Sequence, residues 1–124
     1  MGHCSVIIDP VCAGHENPHH PECNARIEIA SSGIPHNVPR LIPEPAQQED
    51  LERVHDRSYL AWLEQRCSLM TTLGWLDSDT YITRQSFEAA LHAAGGAIAA
   101  VEKSRQGEHC FALVRPPGHH AGFN

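Results

Sequence analysis

Hydrophobic positions fall in short blocks separated by proline and glycine, and the long periodic run comes late in the chain. Cys4-Ser5-Val6-Ile7-Ile8-Asp9 is short and β-branched and is closed by Pro10, which predicts a strand. Residues 10–23 predict a loop, because Pro10, Gly14, Pro18 and Pro21 interrupt every period. Residues 24–32 predict a short helix, with Ile27 and Ile29 apolar and Gly33 and Pro35 as its stop. Pro39, Pro43 and Pro45 frame a second short strand, Arg40-Leu41-Ile42. From about Gln47 the spacing turns helical, with Leu51 and Val54 on one face. A further helix over 57–70 puts Tyr59, Trp62, Leu63 and Leu69 near one stripe. Residues 74–82 predict a loop. Over 84–105, Phe87, Leu91, Ala94, Ile98 and Val101 follow a helical series. The same helix carries Ala89, Ala90, Ala93, Gly95, Gly96 and Ala97, a small surface that predicts close approach to a neighbouring element. Cys110-Phe111-Ala112-Leu113-Val114 is continuously apolar, as in a strand buried on both faces.

Strand, loop, helices, small-residue helix and buried strand, in that order, predict an α/β fold with a parallel sheet. No repeat, low-complexity tract or linker divides the chain, so residues 1–124 read as one partial domain. Hydrophobic residues make up 41% of the chain, enough for a core, which excludes whole-chain disorder. The formal charge is −6, and Lys103 is the sole lysine, so direct nucleic-acid binding is not expected. No apolar run reaches the roughly 20 residues of a membrane span, and no signal-peptide pattern is present. Met1-Gly2 opens like an acylation site, but Val6 stands where Ser or Thr is needed. The five cysteines, at 4, 12, 23, 67 and 110, read as reduced thiols of a cytoplasmic protein.

Ten histidines are the compositional oddity. A pair, His119-His120, closes the chain just past the predicted last strand, where α/β sheets place functional loops. Pro116-Pro117 stiffens that turn, and Gly118 permits close backbone approach. Two adjacent imidazoles offer a base and a second group that titrates differently; a bare pair is equally a polar, solvent-facing loop. A second cluster lies at Cys12-x2-His15 and His20-x2-Cys23, four legitimate zinc ligands, and suggests a non-catalytic zinc-binding interaction module. Pro18 and Pro21 restrict how that loop folds around a metal. His36, His55 and His92 read as surface or ordinary helix residues, Asp77 as a turn residue, and Trp62 and Trp75 as core or interface anchors. Gly95-Gly96 lies within a helix and not after a strand, which gives nucleotide binding no support.

The string Val114-Arg115-Pro116-Pro117-Gly118-His119-His120-Ala121 resembles the tandem-histidine motif of the histone deacetylase family, zinc-dependent enzymes of the arginase/deacetylase fold. His20-Pro21-Glu22-Cys23-Asn24-Ala25-Arg26 is similar to the family's N-terminal His-Pro…Arg segment. Glu49 through Tyr59 resembles its Leu…Val-His…Tyr region, and Asp79-Thr80-Tyr81 the stretch before the Ala/Gly-rich helix. The resemblance implies a three-layer α/β/α domain of which this chain is the N-terminal portion. It implies His120 as general base, His119 as its electrostatic or proton-donating partner, Asp79 as a rim residue binding the substrate backbone, and Arg26 beside an internal cavity. The family's zinc ligands, oxyanion residue and tunnel Gly-Phe follow the tandem His and are not matched here. Gly122-Phe123 comes too soon to be that Gly-Phe. The expectation is therefore a fragment that ligates no zinc alone, is inactive by itself, and leaves apolar surface exposed. The parent is expected to use zinc and to deacetylate acetyl-lysine or, alternatively, a small acetylated amine such as a polyamine. A homo-oligomer is left open.

Overall fold

A computed structural model describes residues 4–123; Met1, Gly2, His3 and Asn124 lie outside the described residues. The elements run β1 (Cys4–Ile7), a 3-10 turn (Pro10–Gly14), α1 (Ala25–Ser32), β2 (Arg40–Leu41), α2 (Gln48–Glu52), α3 (Arg57–Ser68), β3 (Gly74–Trp75), β4 (Tyr81–Ile82), α4 (Ser86–Arg105) and β5 (His109–Ala112). β1 is the central strand of a parallel sheet of order β2-β1-β5. Val6 pairs with Arg40, and Cys4 to Ile7 pair in step with His109 to Ala112. Ile8 N–H to Leu41 O (3.1 Å) and Leu113 N–H to Ile7 O (2.9 Å) carry the ladders onward. The fold is α/β with a parallel sheet, as the element order predicts.

Strand pleating decides which residues meet α4. Ser5 and Cys110 face each other across the ladder (Oγ to Sγ, 3.5 Å), and Ile7 shares that side. A Cβ on Gly96 would sit 3.3 Å from Ile7 Cγ2 and 2.9 Å from Val114 Cγ1, so α4 lies against this face. At Gly95 the approach is backbone to backbone. A Cβ there would collide with the Glu44 carbonyl oxygen and lie 2.8 Å from Ala46 N. The close approach expected of the two glycines is thus real, and it brings the segment before α2 onto the helix.

The buried stripe of α4 differs from the expected one. Ser86, Ala89, Ala93 and Gly96 face inward together with Gly95, while Ile98 and Val101 are exposed. Closeness selects the small side chains, since bulky ones would hold the helix off the sheet and the 3-10 turn. In α3, likewise, Leu60 and Cys67 are buried whereas Trp62, and Leu69 just past its end, face solvent. The expected loop at 74–82 is a hairpin. Trp75 pairs with Tyr81 and Gly74 with Ile82, and both β4 residues are core. Asp77 shapes its turn by accepting from Asp79 N–H and Thr80 Oγ1–H (2.8 and 2.9 Å), the role expected of it. β5 is not buried on both faces: Phe111, on the side away from α4, is 56% exposed. β5 pairs only with β1 among the described residues and so lies at a sheet edge.

Candidate functional site

Parallel strands direct their carboxyl ends to one side of the sheet, and β1 and β5 lead there into the 3-10 turn and the His-His loop. Asp9 starts the turn by capping Val11 N–H (3.0 Å) and also receives His92 Nδ1 (2.5 Å). His92 is therefore no simple surface residue: it ties α4 to the end of β1.

Arg115 organises this end of the molecule. Its side chain is 2% exposed. Nε and NH2 donate to the two carboxylate oxygens of Glu22 (2.9 and 2.8 Å). NH1 donates to the carbonyls of Cys12 (3.2 Å) and His15, and NH2 also to the Tyr81 hydroxyl (2.7 Å). Tyr81 in turn donates to Glu22 O (2.6 Å). Burial raises the Glu22 pKa, but the Arg115 hydrogen bonds and charge outweigh it and hold the carboxyl below the usual carboxylate range. Burial pushes the Tyr81 hydroxyl up to about 12, so it stays protonated as a donor.

His15 stacks on Tyr81 (centroids 4.3 Å apart, planes within 9°) and meets Ser86 Oγ through Nδ1 (2.7 Å). Ser86 Oγ also accepts from Thr83 N–H (2.7 Å), which ties His15 to the start of α4. Burial, and then the Arg115 charge, lower the His15 pKa to about 4. Its Nε2 lies 3.6 Å from Glu22 Oε2, but the ring is neutral near pH 7, so this is no ion pair. His15, Glu22, Tyr81, Ser86 and Arg115 form a buried polar network that sequence reading missed as a unit. Glu22 and Arg115 each stand inside a motif singled out in the sequence, but nothing along the chain signals that the two pair.

The expected site residues are placed as follows. His119 and His120 are exposed, with ring centroids 4.3 Å apart, on a turn closed by Ala121 N–H to Gly118 O (3.0 Å). Beyond them Phe123 O accepts from Asp56 N–H (3.0 Å), fastening the segment to the start of α3. Asp77 lies close enough to His120 for its charge to contribute to the lowered Asp77 pKa, after the bonds from Asp79 N–H and Thr80. Asp79 stands at the hairpin tip and is joined to His20 (Nε2 to Oδ1, 3.0 Å). The hairpin and the His-His turn thus come to the same end of the molecule. The Arg26 side chain is 63% exposed among the described residues and lies 3.7 Å from Glu22.

The Cys12/His15/His20/Cys23 loop does not converge on a metal. His15 Nδ1 is taken by Ser86, and His20 uses both nitrogens, one toward Asp79 and one accepting from Glu22 N–H. Burial raises the Cys12 thiol pKa, which opposes the thiolate a zinc ion needs. Among the described residues, no three His, Cys, Asp or Glu side chains group as a metal site.

Comparison with known proteins agrees with this geometry. Residues 20–124 match the model of the histone deacetylase domain. A probable deacetylase of Methanothermobacter thermautotrophicus is 34% identical over 122 residues, covering 96% of this chain and 36% of the relative. A histone deacetylase-like amidohydrolase of Pseudomonas aeruginosa is 36% identical over 117 residues, covering 90% of this chain and 29% of the relative. The solved HDA15 HD domain superposes with a TM-score of 0.86 at 27% identity, covering 99% of this chain and 38% of that one. The chain thus spans about a third of the length of the curated relatives it matches. With the domain match covering most of its length and the strand-loop-helix frame shared, the chain belongs to the histone deacetylase family.

Proposed function

We propose that this chain supplies the proton-transfer histidines and part of the substrate rim of a deacetylase that hydrolyses the acetyl amide of acetyl-lysine or of a small acetylated amine. The observation that carries the reading is the pair of adjacent imidazoles at the carboxyl end of β5, on a loop rooted by the buried Arg115. Amide hydrolysis needs a group to take a proton from the attacking water and one to deliver a proton to the departing amine. His120 takes the first role. His119 supports the developing charge and the second transfer. Asp79, at the hairpin tip, accepts hydrogen bonds from the substrate backbone.

Deacetylases of this family generally use zinc, which polarises the acetyl carbonyl and acidifies water when bound. The described residues do not fit that ion by themselves, for want of three grouped donors. The ligands belong to other parts of the whole protein, and the 124-residue chain alone is expected to be inactive. The same reading places the protein in the cytoplasm, where its free thiols stay reduced.

The test is hydrolysis by the whole protein of an acetyl-lysine peptide and of a monoacetylated diamine. His120→Ala is expected to lower kcat by about 100-fold or more, the scale of a lost general base. Turnover that survives the substitution, or turnover by the 124-residue chain alone, overturns the reading.

A further inference from the structure

We propose that His20 is a positioning residue for substrate binding: it holds the Asp79 carboxylate in one orientation, leaving the second oxygen to meet a backbone N–H of the substrate. This rests on the rim role given to Asp79 above.

The Asp79 side chain is 89% exposed at a hairpin tip, where a carboxylate would turn freely. Among the described residues, His20 is the one donor to it, Nε2 to Oδ1 at 3.0 Å. The direction of that bond is set by the other nitrogen. Glu22 N–H donates to His20 Nδ1 at 3.0 Å, so Nδ1 bears no hydrogen and the ring proton sits on Nε2. The proton therefore points at Asp79, and Oδ2 remains available.

The ring is itself held. Its side chain is mostly covered, it meets Tyr81 edge-on at 5.1 Å, and Trp75 lies at 6.3 Å. Tyr81 is fixed by Glu22 and Arg115. Those same two residues root the His119-His120 loop, so the rim carboxylate and the histidine pair are referenced to one buried ion pair. A pre-oriented acceptor saves the ordering that a free carboxylate would undergo on binding. A bond to a charged group of this kind corresponds to about tenfold in affinity.

The experiment uses the whole protein, an acetyl-lysine peptide with backbone amides, and a monoacetylated diamine that has none. His20→Ala is expected to lower the peptide-to-diamine ratio of kcat/KM about tenfold, through KM for the peptide. His20→Gln, whose Nε2 can donate from nearly the same place, is expected to recover most of the ratio. In an Asp79→Ala background, His20→Ala is expected to add little further loss of ratio. Equal loss on both substrates marks a structural histidine and overturns the proposal, as does a full additional effect without Asp79. In parallel, 15N spectra of labelled His20 should show a bare Nδ1 and a protonated Nε2 whose shift responds to Asp79→Asn. A protonated Nδ1, or no response, overturns the proposal whatever the kinetics. If the unaltered protein hydrolyses neither substrate, the functional reading falls, while the spectra still decide whether His20 orients Asp79.

Discussion

Arg115 directs all five of its N–H groups at acceptors inside the fold, two of them onto one carboxylate. A buried guanidinium is tolerable only with that degree of satisfaction, because an unpaired charge in the interior costs several kcal/mol. The network also dictates the state of its neighbours. His15 is pressed between Tyr81 and the Arg115 charge, and with a pKa of about 4 it is folded as the neutral ring. Unfolding returns it to its ordinary value of 6.5, so the unfolded chain binds the extra proton between pH 6.5 and 4. Stability from this residue is fully present above pH 6.5 and falls as pH drops through that window, by at most about 1.4 kcal/mol per pH unit. Urea midpoints at pH 7, 6 and 5 should therefore decline, and His15→Gln should flatten the decline. Glu22, whose pKa is lowered from 4.5, contributes its own loss only at more acid pH, which keeps the two apart. An unchanged slope in His15→Gln would mean the ring is not held neutral. None of this pairing is legible along the chain. His20-Pro21-Glu22 and Arg115-Pro116 each stand out as motifs, but nothing local says that two charges 93 positions apart are partners.

At the scale of elements, α4 is the clearest case of pattern and packing disagreeing. Its extent, Ser86–Arg105, is close to the periodic run at 84–105. Its buried side is nevertheless the row of serine, alanine and glycine, because contact distance and not hydrophobicity of single residues decided which face could reach the sheet. Gly95 is the tightest point. Ala46 N–H donates to Leu91 O (2.9 Å) beside it, so the facing segment is bound to the helix and cannot retreat cheaply. Gly95→Ala should destabilise the protein by about 1–3 kcal/mol despite alanine's better helix propensity. Gly96→Ala should cost less, since its neighbours are the side chains of Val114 and Ile7, which can shift. Thermal or denaturant unfolding of the two variants checks the order; a neutral Gly95→Ala would mean the approach is looser than described. The β3–β4 hairpin escaped sequence reading for a different reason. Two-residue strands are too short to show alternation, and the loop carrying Glu22, which meets the Tyr81 hydroxyl, comes from far along the chain.

For the molecule as a whole, this chain spans 38% of the HDA15 HD domain on which it superposes. The exposed Phe111 on the open face of β5 fits that relation. Zinc is the whole-molecule question for the Cys/His loop. Because both histidines are held in other hydrogen bonds and no three donors group among the described residues, the substitution pair Cys12→Ser and Cys23→Ser should leave the metal content of the purified protein unchanged by elemental analysis. Zinc lost with the two cysteines would restore the interaction-module reading. The sequence by itself determined the α/β order, the extents of α1 and α4, the place of the parallel strands and the family signature Val114–Ala121, because these depend on local propensity and contiguous composition. The tertiary structure alone decided which face of α4 is buried, that the Arg115 guanidinium is enclosed, that His15 is neutral, and that His20 meets Asp79. Those depend on distances between segments far apart in the chain, and residue order along a chain does not specify such distances until the segments pack.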